Sequence, residues 1–328
     1  MVVGTPDSSS GPPPSVDGGA APGDLAMSAG TPLVAAHSLT RAMYASYHGR
    51  LFQVRRGSDS KTQDISVTSS GLVDLTSLNS FISGTTGYVS ILYDQSGNGN
   101  DLPQATAGNQ PTIGFWSRAD GTMMPMAVSV SRQYLRNRTN TKLIPTGAQS
   151  MTEYFVVNTK HFNADCCYDY GNMESKVESD GNGTMAALNI GTKDNGFSAP
   201  GAGSGPWAMV DFESGVYTGP NRIGVVNPNA PSLTWDVAMA LTKSNGTTSW
   251  IMKVSDATKG TLTTTTSAGL PPGYSPLKLE GGLSLGEGGD GHSTLGAGAF
   301  FEGVIIAAVT ADATDDAIQA NLVSVYGK

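Results

Sequence analysis

Cysteine is nearly absent from this sequence. The chain has two in 328 residues, and they are neighbours, Cys166 and Cys167 in "ADCCYDYGN". A scaffold stapled by many long-range bridges is therefore excluded. A Cys/His zinc site is excluded as well, because the four histidines, His37, His48, His161 and His292, are scattered along the chain. Charge is also scarce, with 14% Asp, Glu, Lys and Arg against about 25% in an average domain. Acids outnumber bases by 27 to 19, a net charge of −8, so the surface repels phosphate backbones and nucleic acid is not an expected partner. No uncharged apolar run approaches the roughly 18 residues of a membrane helix.

What the sequence has in excess is glycine, 42 residues, roughly twice the usual share of about 7%. That balance favours strands and tight turns over a helical bundle. Residues 1–24 contain Gly, Pro, Ser, Asp and Ala with almost no apolar bulk, and read as a disordered linker or tag remnant. Residues 25–328 form the expected domain. A linker of this kind, with no signal peptide before it, leads to the expectation of a secreted or cell-surface protein whose export signal has been removed.

Local patterns refine this picture. "HSLTRAMYASYHG" (37–49) has helical spacing with Ser38 as a possible N-cap, and "LVDLTSLNSFI" (72–82) suggests a second short helix. Strands are expected at 88–94, 153–162 and 184–191. A hairpin is expected across 233–256 around Asn245-Gly246, the dipeptide that best tolerates the positive φ of a tight turn. "AFFEGVIIAAVT" (299–310) is apolar enough for a strand buried on both faces. A last helix is expected over 312–327, capped by Asp312, with Ile318, Leu322 and Val325 on one face. The fold class is all-β, a two-sheet sandwich with a few short helices.

Two stretches can carry chemistry. In "GPWAMVDFESGVYTG" (205–219) strand alternation puts Ala208, Val210 and Phe212 on one face. Trp207, Met209, Asp211 and Glu213 fall on the other. Carboxylates beside an indole suit a sugar, whose C–H patches pack on rings while its hydroxyls bond acids; acids on an open strand face can also simply be solvated. In "LSLGEGGDGHSTLGAG" (283–298) a strand runs into a glycine-rich loop holding Glu287, Asp290 and His292. Glycine lets backbone approach a ligand closely, although an acid in such a loop can be only a turn residue.

These stretches occur in order with "VAAHSLTRAMY", "LFQVRRGSDSKTQDI", "YDQSGNGNDL", "CCYDYGN" and "FFEGV". Over roughly residues 31–326 the chain thereby resembles the catalytic domain of the α-L-arabinofuranosidases of glycoside hydrolase family fifty-four. The resemblance implies a concanavalin-like sandwich (jelly roll) that releases terminal α-L-arabinofuranosyl residues with retention. It implies Glu213 as nucleophile and Asp290 as acid/base, with substrate bound by Asp211, Gly289 and a vicinal Cys166–Cys167 disulfide. Two substrate-contacting positions depart from the family pattern: Ser214 replaces the usual Asn, and Phe197 stands where a pocket Trp is usual. Trp207 is a further candidate contact from the strand pattern. The cysteines of a further fungal bridge are absent, with Ile82 and Gly87 in their places. Adjacent cysteines close an eight-membered ring but no chain loop, so their bond adds little unfolded-state restriction and serves shape instead.

The expected partner is an arabinose-containing plant polysaccharide or oligosaccharide, with no cofactor or metal, and the chain is expected to be a monomer. The fungal members append an arabinose-binding trefoil that has no counterpart up to Lys328. Competing functions are a related furanosidase, for example a galactofuranosidase, a non-catalytic carbohydrate-binding sandwich and a structural surface domain. Glu287 and Glu302 are the competing acids.

Overall fold

The computed structural model describes residues 20–176, 181–192, 197–289 and 293–328. Among these, twelve strands form a larger sheet and seven a smaller one. The centre of the larger sheet is Met151–Asn158, paired antiparallel with Val237–Ser244 on one side and Gly298–Ile306 on the other. All three strands are buried along their whole length. Their side chains alternate between two cores, as the two-residue period of a strand requires. Phe155, Val157, Ala240 and Phe300 face inward, where Tyr170, Leu188, Val210 and Leu283 of the smaller sheet meet them. Tyr154, Val156, Leu241 and Phe301 face outward and are covered by Ile318, Leu322 and Val325 of the helix Asp312–Tyr326. Each fully buried side chain of this size contributes about 1.5–3 kcal/mol.

The smaller sheet carries the candidate site. Its central strands are Asp169–Met173, Ala186–Gly191 and Trp207–Asp211, with Gly282–Leu285 and Leu135–Asn137 beyond the first of these. One acid lies between the sheets: Glu153 is fully buried on the inner face, and the Asn172 amide donates to its Oε2 at 3.4 Å. Gly171 (φ +142°) makes room, since a Cβ there would lie 2.3 Å from that oxygen. Burial pushes the Glu153 carboxyl well above its ordinary range.

Much of the local reading agrees with the structure. Strands occupy Gly87–Leu92 and Ala186–Gly191. The helix Leu75–Phe81 begins where the Asp74 carboxylate accepts from the Ser77 amide.

Four local readings need correction. Residues 37–49 are not a helix: His37 and Ser38 belong to the strand Leu33–Ser38, paired with Gly298–Ile306. The following donors find partners other than carbonyls one helical turn back. Ser38 Oγ accepts from the Thr40 and Arg41 amides, Ala42 donates to Gly71, and Met43 donates to the Gln95 side chain. The helical spacing arose because Leu39 and Met43 are buried in separate cores. The hairpin 237–256 is present, but its turn is Asn245–Thr248, with Asn245 Oδ1 accepting from the amides of Thr247, Thr248 and Ser249. Of the Asn-Gly pair only Gly246 takes a positive φ. Asp312 does not cap the last helix, whose N-cap is Ala311; its carboxylate instead meets Lys243 and Lys253, both at 2.7 Å.

The fourth correction is the start of the folded body. The linker was expected to run to residue 24, yet Pro22–Ser28 is a helix with Pro22 and Gly23 buried. Gly23 donates to the Met43 carbonyl at 2.7 Å, and Asp24 Oδ2 accepts from the Ala45 amide at 2.9 Å. A short apolar-poor segment can dock when its backbone and one carboxylate are satisfied by neighbours, which composition does not reveal.

Candidate active site

The alternation read from residues 207–212 is present. Ala208, Val210 and Phe212 join the core between the sheets, while Trp207 and Met209 pack on the opposite side. The strand itself ends at Asp211. Glu213 reaches the same side as Asp211 through a tight turn in which the Phe212 amide donates to the Gly215 carbonyl. Glu213 and Ser214 both adopt left-handed backbone, φ +65° and +57°, a conformation that costs a non-glycine residue about 1 kcal/mol or more. Surrounding contacts enforce it. Asp211 Oδ1 accepts from the Glu213 amide at 2.9 Å, and the Tyr274 hydroxyl donates to the Glu213 carbonyl at 2.9 Å. Phe212 anchors the turn from below against Trp250, Tyr217 and Tyr274.

The Cys166–Cys167 pair forms the neighbouring wall, with its sulfurs bonded to each other. The segment is fastened by its backbone: the Cys167 amide donates to the Ser293 carbonyl at 3.0 Å, and the Leu295 amide to the Cys166 carbonyl at 3.1 Å. Cys167 Sγ lies 3.3 Å from Asp211 Oδ2. This is a contact rather than a hydrogen bond, since a bonded sulfur carries no hydrogen.

These groups enclose a cavity of about 330 Å³ lined by Cys166, Cys167, Asp211, Glu213, Gly288 and Gly289, with Phe197, Ser214, Gly215, Val216 and Ser293 completing it. The volume is at the small end of the roughly 300–1,000 Å³ of ligand sites, and suits one sugar ring better than a polymer segment. Its described lining has an acidic edge, a sulfur face and a glycine backbone, with no Lys or Arg. Cys166, Cys167 and Asp211 have ligand atoms within 4.8 Å of one another, but bonded sulfurs are not thiolates and make a poor metal set.

Of the nine candidate site residues, seven line this cavity: Cys166, Cys167, Phe197, Asp211, Glu213, Ser214 and Gly289. Trp207 does not. It is 5% exposed, donates its indole N–H to the Ala202 carbonyl and packs with Met209, Val216 and Cys166. Its place is behind the wall, where it supports Cys166. Asp290 lies outside the described residues, as does His292. The two competing acids are excluded from the cavity. Glu302 is fully buried and held by Arg41, and Glu287 is fully buried beside Arg136 and Arg138. Sequence reasoning missed Val216, Ser293 and Tyr274. Val216 reads as an ordinary strand residue, Ser293 reads as one more small polar residue of the glycine-rich stretch 283–298, and the Tyr274 contribution is a hydroxyl aimed at a backbone carbonyl from 61 residues away.

A two-sheet sandwich with a small carboxylate-edged pocket on one face is the architecture of a carbohydrate-active domain. The family model described as alpha-L-arabinofuranosidase B, catalytic, matches residues 22–327, and the chain belongs to that family. It is 38% identical over 320 residues to a probable alpha-L-arabinofuranosidase B of Aspergillus flavus and to alpha-L-arabinofuranosidase B of Aspergillus oryzae. Each alignment covers 93% of this chain and 62% of the relative, so the chain spans about three-fifths of their length. Among solved structures it is similar to a GH54 α-L-arabinofuranosidase soaked with a cyclic sulfate inhibitor and to an arabinofuranosidase complexed with arabinofuranosyl-α-1,2-xylobiose. Both share 34% identity and a TM-score of 0.87, covering 93% of this chain and 65% of the other.

Proposed function

We propose that this chain is a retaining, exo-acting α-L-arabinofuranosidase that removes single terminal arabinofuranosyl residues from arabinoxylan- or arabinan-type chains. The observation that carries this reading is the cavity itself: Glu213 on its strained turn, Asp211 braced against it, and a sulfur wall beside the glycine backbone, in a space sized for one ring. Glu213 attacks the anomeric carbon as a carboxylate and forms a glycosyl-enzyme, which water then hydrolyses. Asp290, next in the chain after the cavity-lining Gly289, protonates the departing oxygen and then deprotonates that water. Asp211 accepts a ring hydroxyl, and the Cys166–Cys167 plate packs against ring C–H groups. The substrate is an arabinose-bearing plant polysaccharide or oligosaccharide, met outside the cell by a monomer.

A panel of 4-nitrophenyl furanosides tests the reading, with products followed by proton NMR from the first turnover. Rapid release from the α-L-arabinofuranoside with the α-anomer appearing first is the expected result. Preference for a galactofuranoside would reassign the sugar, as the shorter Ser214 and the Phe197 wall would then explain. First appearance of the β-anomer would refute the double displacement, and no turnover of any furanoside would leave a binding sandwich.

A further inference from the structure

The wall formed by Gly288 and Gly289 belongs to a four-residue segment, Gly286-Glu287-Gly288-Gly289, that leaves the strand Gly282–Leu285. Three of its residues have no side chain with which to be held. At Gly289 a Cβ would lie 2.6 Å from Met185 Sδ, so a side chain there would have to displace that methionine. Glycine has the largest conformational freedom to lose, so such a segment wanders unless something fixes it. Glu287 is its sole side-chain handle. That side chain is fully buried, pointing away from the cavity lining, with Arg136 Nη1 at 3.3 Å and Arg138 Nη2 at 4.0 Å.

The two arginines connect the handle to the rigid sheet. Arg136 sits on Leu135–Asn137, opposite Ser284 in the register with Gly282–Leu285, and its guanidinium lies over the Tyr134 ring. Arg138 Nη1 also donates to the carbonyls of Glu174 and Lys176, just past the strand Asp169–Met173. Ser284 Oγ donates to the Glu287 carbonyl at 3.4 Å. One buried carboxylate is thus met by two arginines from the strand Leu135–Asn137 and its end, the second of them tied to backbone past Asp169–Met173, and beyond it the Gly288 amide donates to the Ser293 carbonyl at 2.8 Å.

We propose that Glu287 is a positioning residue: clamped by Arg136 and Arg138, it fixes the Gly288–Gly289 wall and thereby the acid/base that follows, Asp290. This rests on the acid/base reading given above. Neither Glu287 nor the two arginines belong to the described lining of the cavity, so removal of the clamp acts on proton delivery through the loop rather than on the nucleophile.

The test compares two aryl α-L-arabinofuranosides, one with a dinitrophenolate leaving group that needs little protonation and one with a phenolate that needs it. The variants are Glu287→Gln and Arg136→Gln, with Asp290→Ala as control. For both clamp variants kcat/KM on the phenyl substrate should fall about 10- to 100-fold, while the first step on the dinitrophenyl substrate changes less than about threefold. Hydrogen exchange at the Gly288 amide should accelerate in both. Equal loss on the two substrates would mean a general structural role, and unchanged exchange would show that nothing was clamped; either overturns the proposal. If Asp290→Ala lacks the leaving-group split, the acid/base reading has failed, and the exchange measurement alone decides the clamp. If Glu287→Gln does not fold, Arg136→Gln decides, because Arg136 is a third exposed and its loss leaves Arg138 on the carboxylate.

Discussion

On the outer face of the larger sheet, acids are matched with bases. Arg41 and Glu302, both fully buried, form a two-pronged pair at 2.6 and 2.7 Å, and Tyr154, Tyr326 and Asn321 take the remaining valences. Lys243 and Lys253 share Asp315, which is fully buried under the last helix, and Asp312 at its rim. At the cavity on the smaller sheet two acids are placed differently. Asp211 and Glu213 stand at a cavity whose described lining holds sulfur, glycine and one aromatic but no basic side chain. Glu302 and Glu213 are the same residue type, each beside an aromatic on a strand or its end. One is a fastener because a guanidinium meets it; the other lines a cavity because a strained turn presents it there.

The sharpest way to break this contrast is to remove one carboxylate from each side. Glu213→Gln should abolish nearly all turnover, by several orders of magnitude, while the melting temperature stays level or rises as the turn loses a crowded charge. Steady-state assay and calorimetry on the same sample decide it, and retained activity would remove Glu213 from the chemistry. Glu302→Gln should do the reverse. It leaves Arg41 buried without its counter-charge at a cost of about 3–5 kcal/mol, read by denaturant unfolding, with kcat in the folded fraction unchanged.

A smaller effect is expected at the sulfur wall. Replacing both cysteines with Ala should raise KM about tenfold, equivalent to about 1.4 kcal/mol, with little loss of stability, since the bond closes no loop. Alkylation of the unreduced, denatured protein should label no thiol; two labels would mean an open pair.

Glu153 offers a pH test of the interior. Because its folded carboxyl is held well above its ordinary value of 4.5, the unfolded chain releases that proton first as pH rises. Stability from this group is therefore complete below the ordinary value and is lost as pH climbs toward the folded one. Glu153→Gln should leave stability unchanged near about pH 4 and raise it by about 1–3 kcal/mol near about pH 8. A pH-independent difference would show that the group is ionised inside the sandwich.

The mildest change is at the N-terminus. A chain starting at Ala20 should melt like the full sequence. One starting at Leu25 should lose about 1–2 kcal/mol, because the Gly23 bond to Met43 and the Asp24 bond to Ala45 go with it. Equal melting would restore the linker boundary at residue 24.

Much of the fold was legible because it follows from period and composition. Glycine excess with sparse charge indicates strands and turns, the run 299–306, apolar but for Glu302 and Gly303, indicates a strand buried on both faces, and Ile318, Leu322 and Val325 mark the covering helix. The alternation of residues 207–212 also placed Asp211 on the cavity side. These are local rules, in which each side chain's direction depends only on its neighbours in the chain.

What the tertiary structure decided depends on groups far apart in sequence. Residues 37–49 have helical spacing, yet sheet pairing, the Gly71 carbonyl and the Gln95 side chain draw their backbone elsewhere. Glu213 leaves the strand at Asp211 and takes a left-handed backbone because Asp211 and Tyr274 hold it there. Trp207 sits behind the wall rather than in it because its indole N–H finds the Ala202 carbonyl. Glu287 and Glu302 are fasteners only because arginines arrive from other strands and turns. Spacing along a chain sets which way a side chain points, while burial, partners and the cost of leaving a charge unmatched are set by whatever folding brings opposite it.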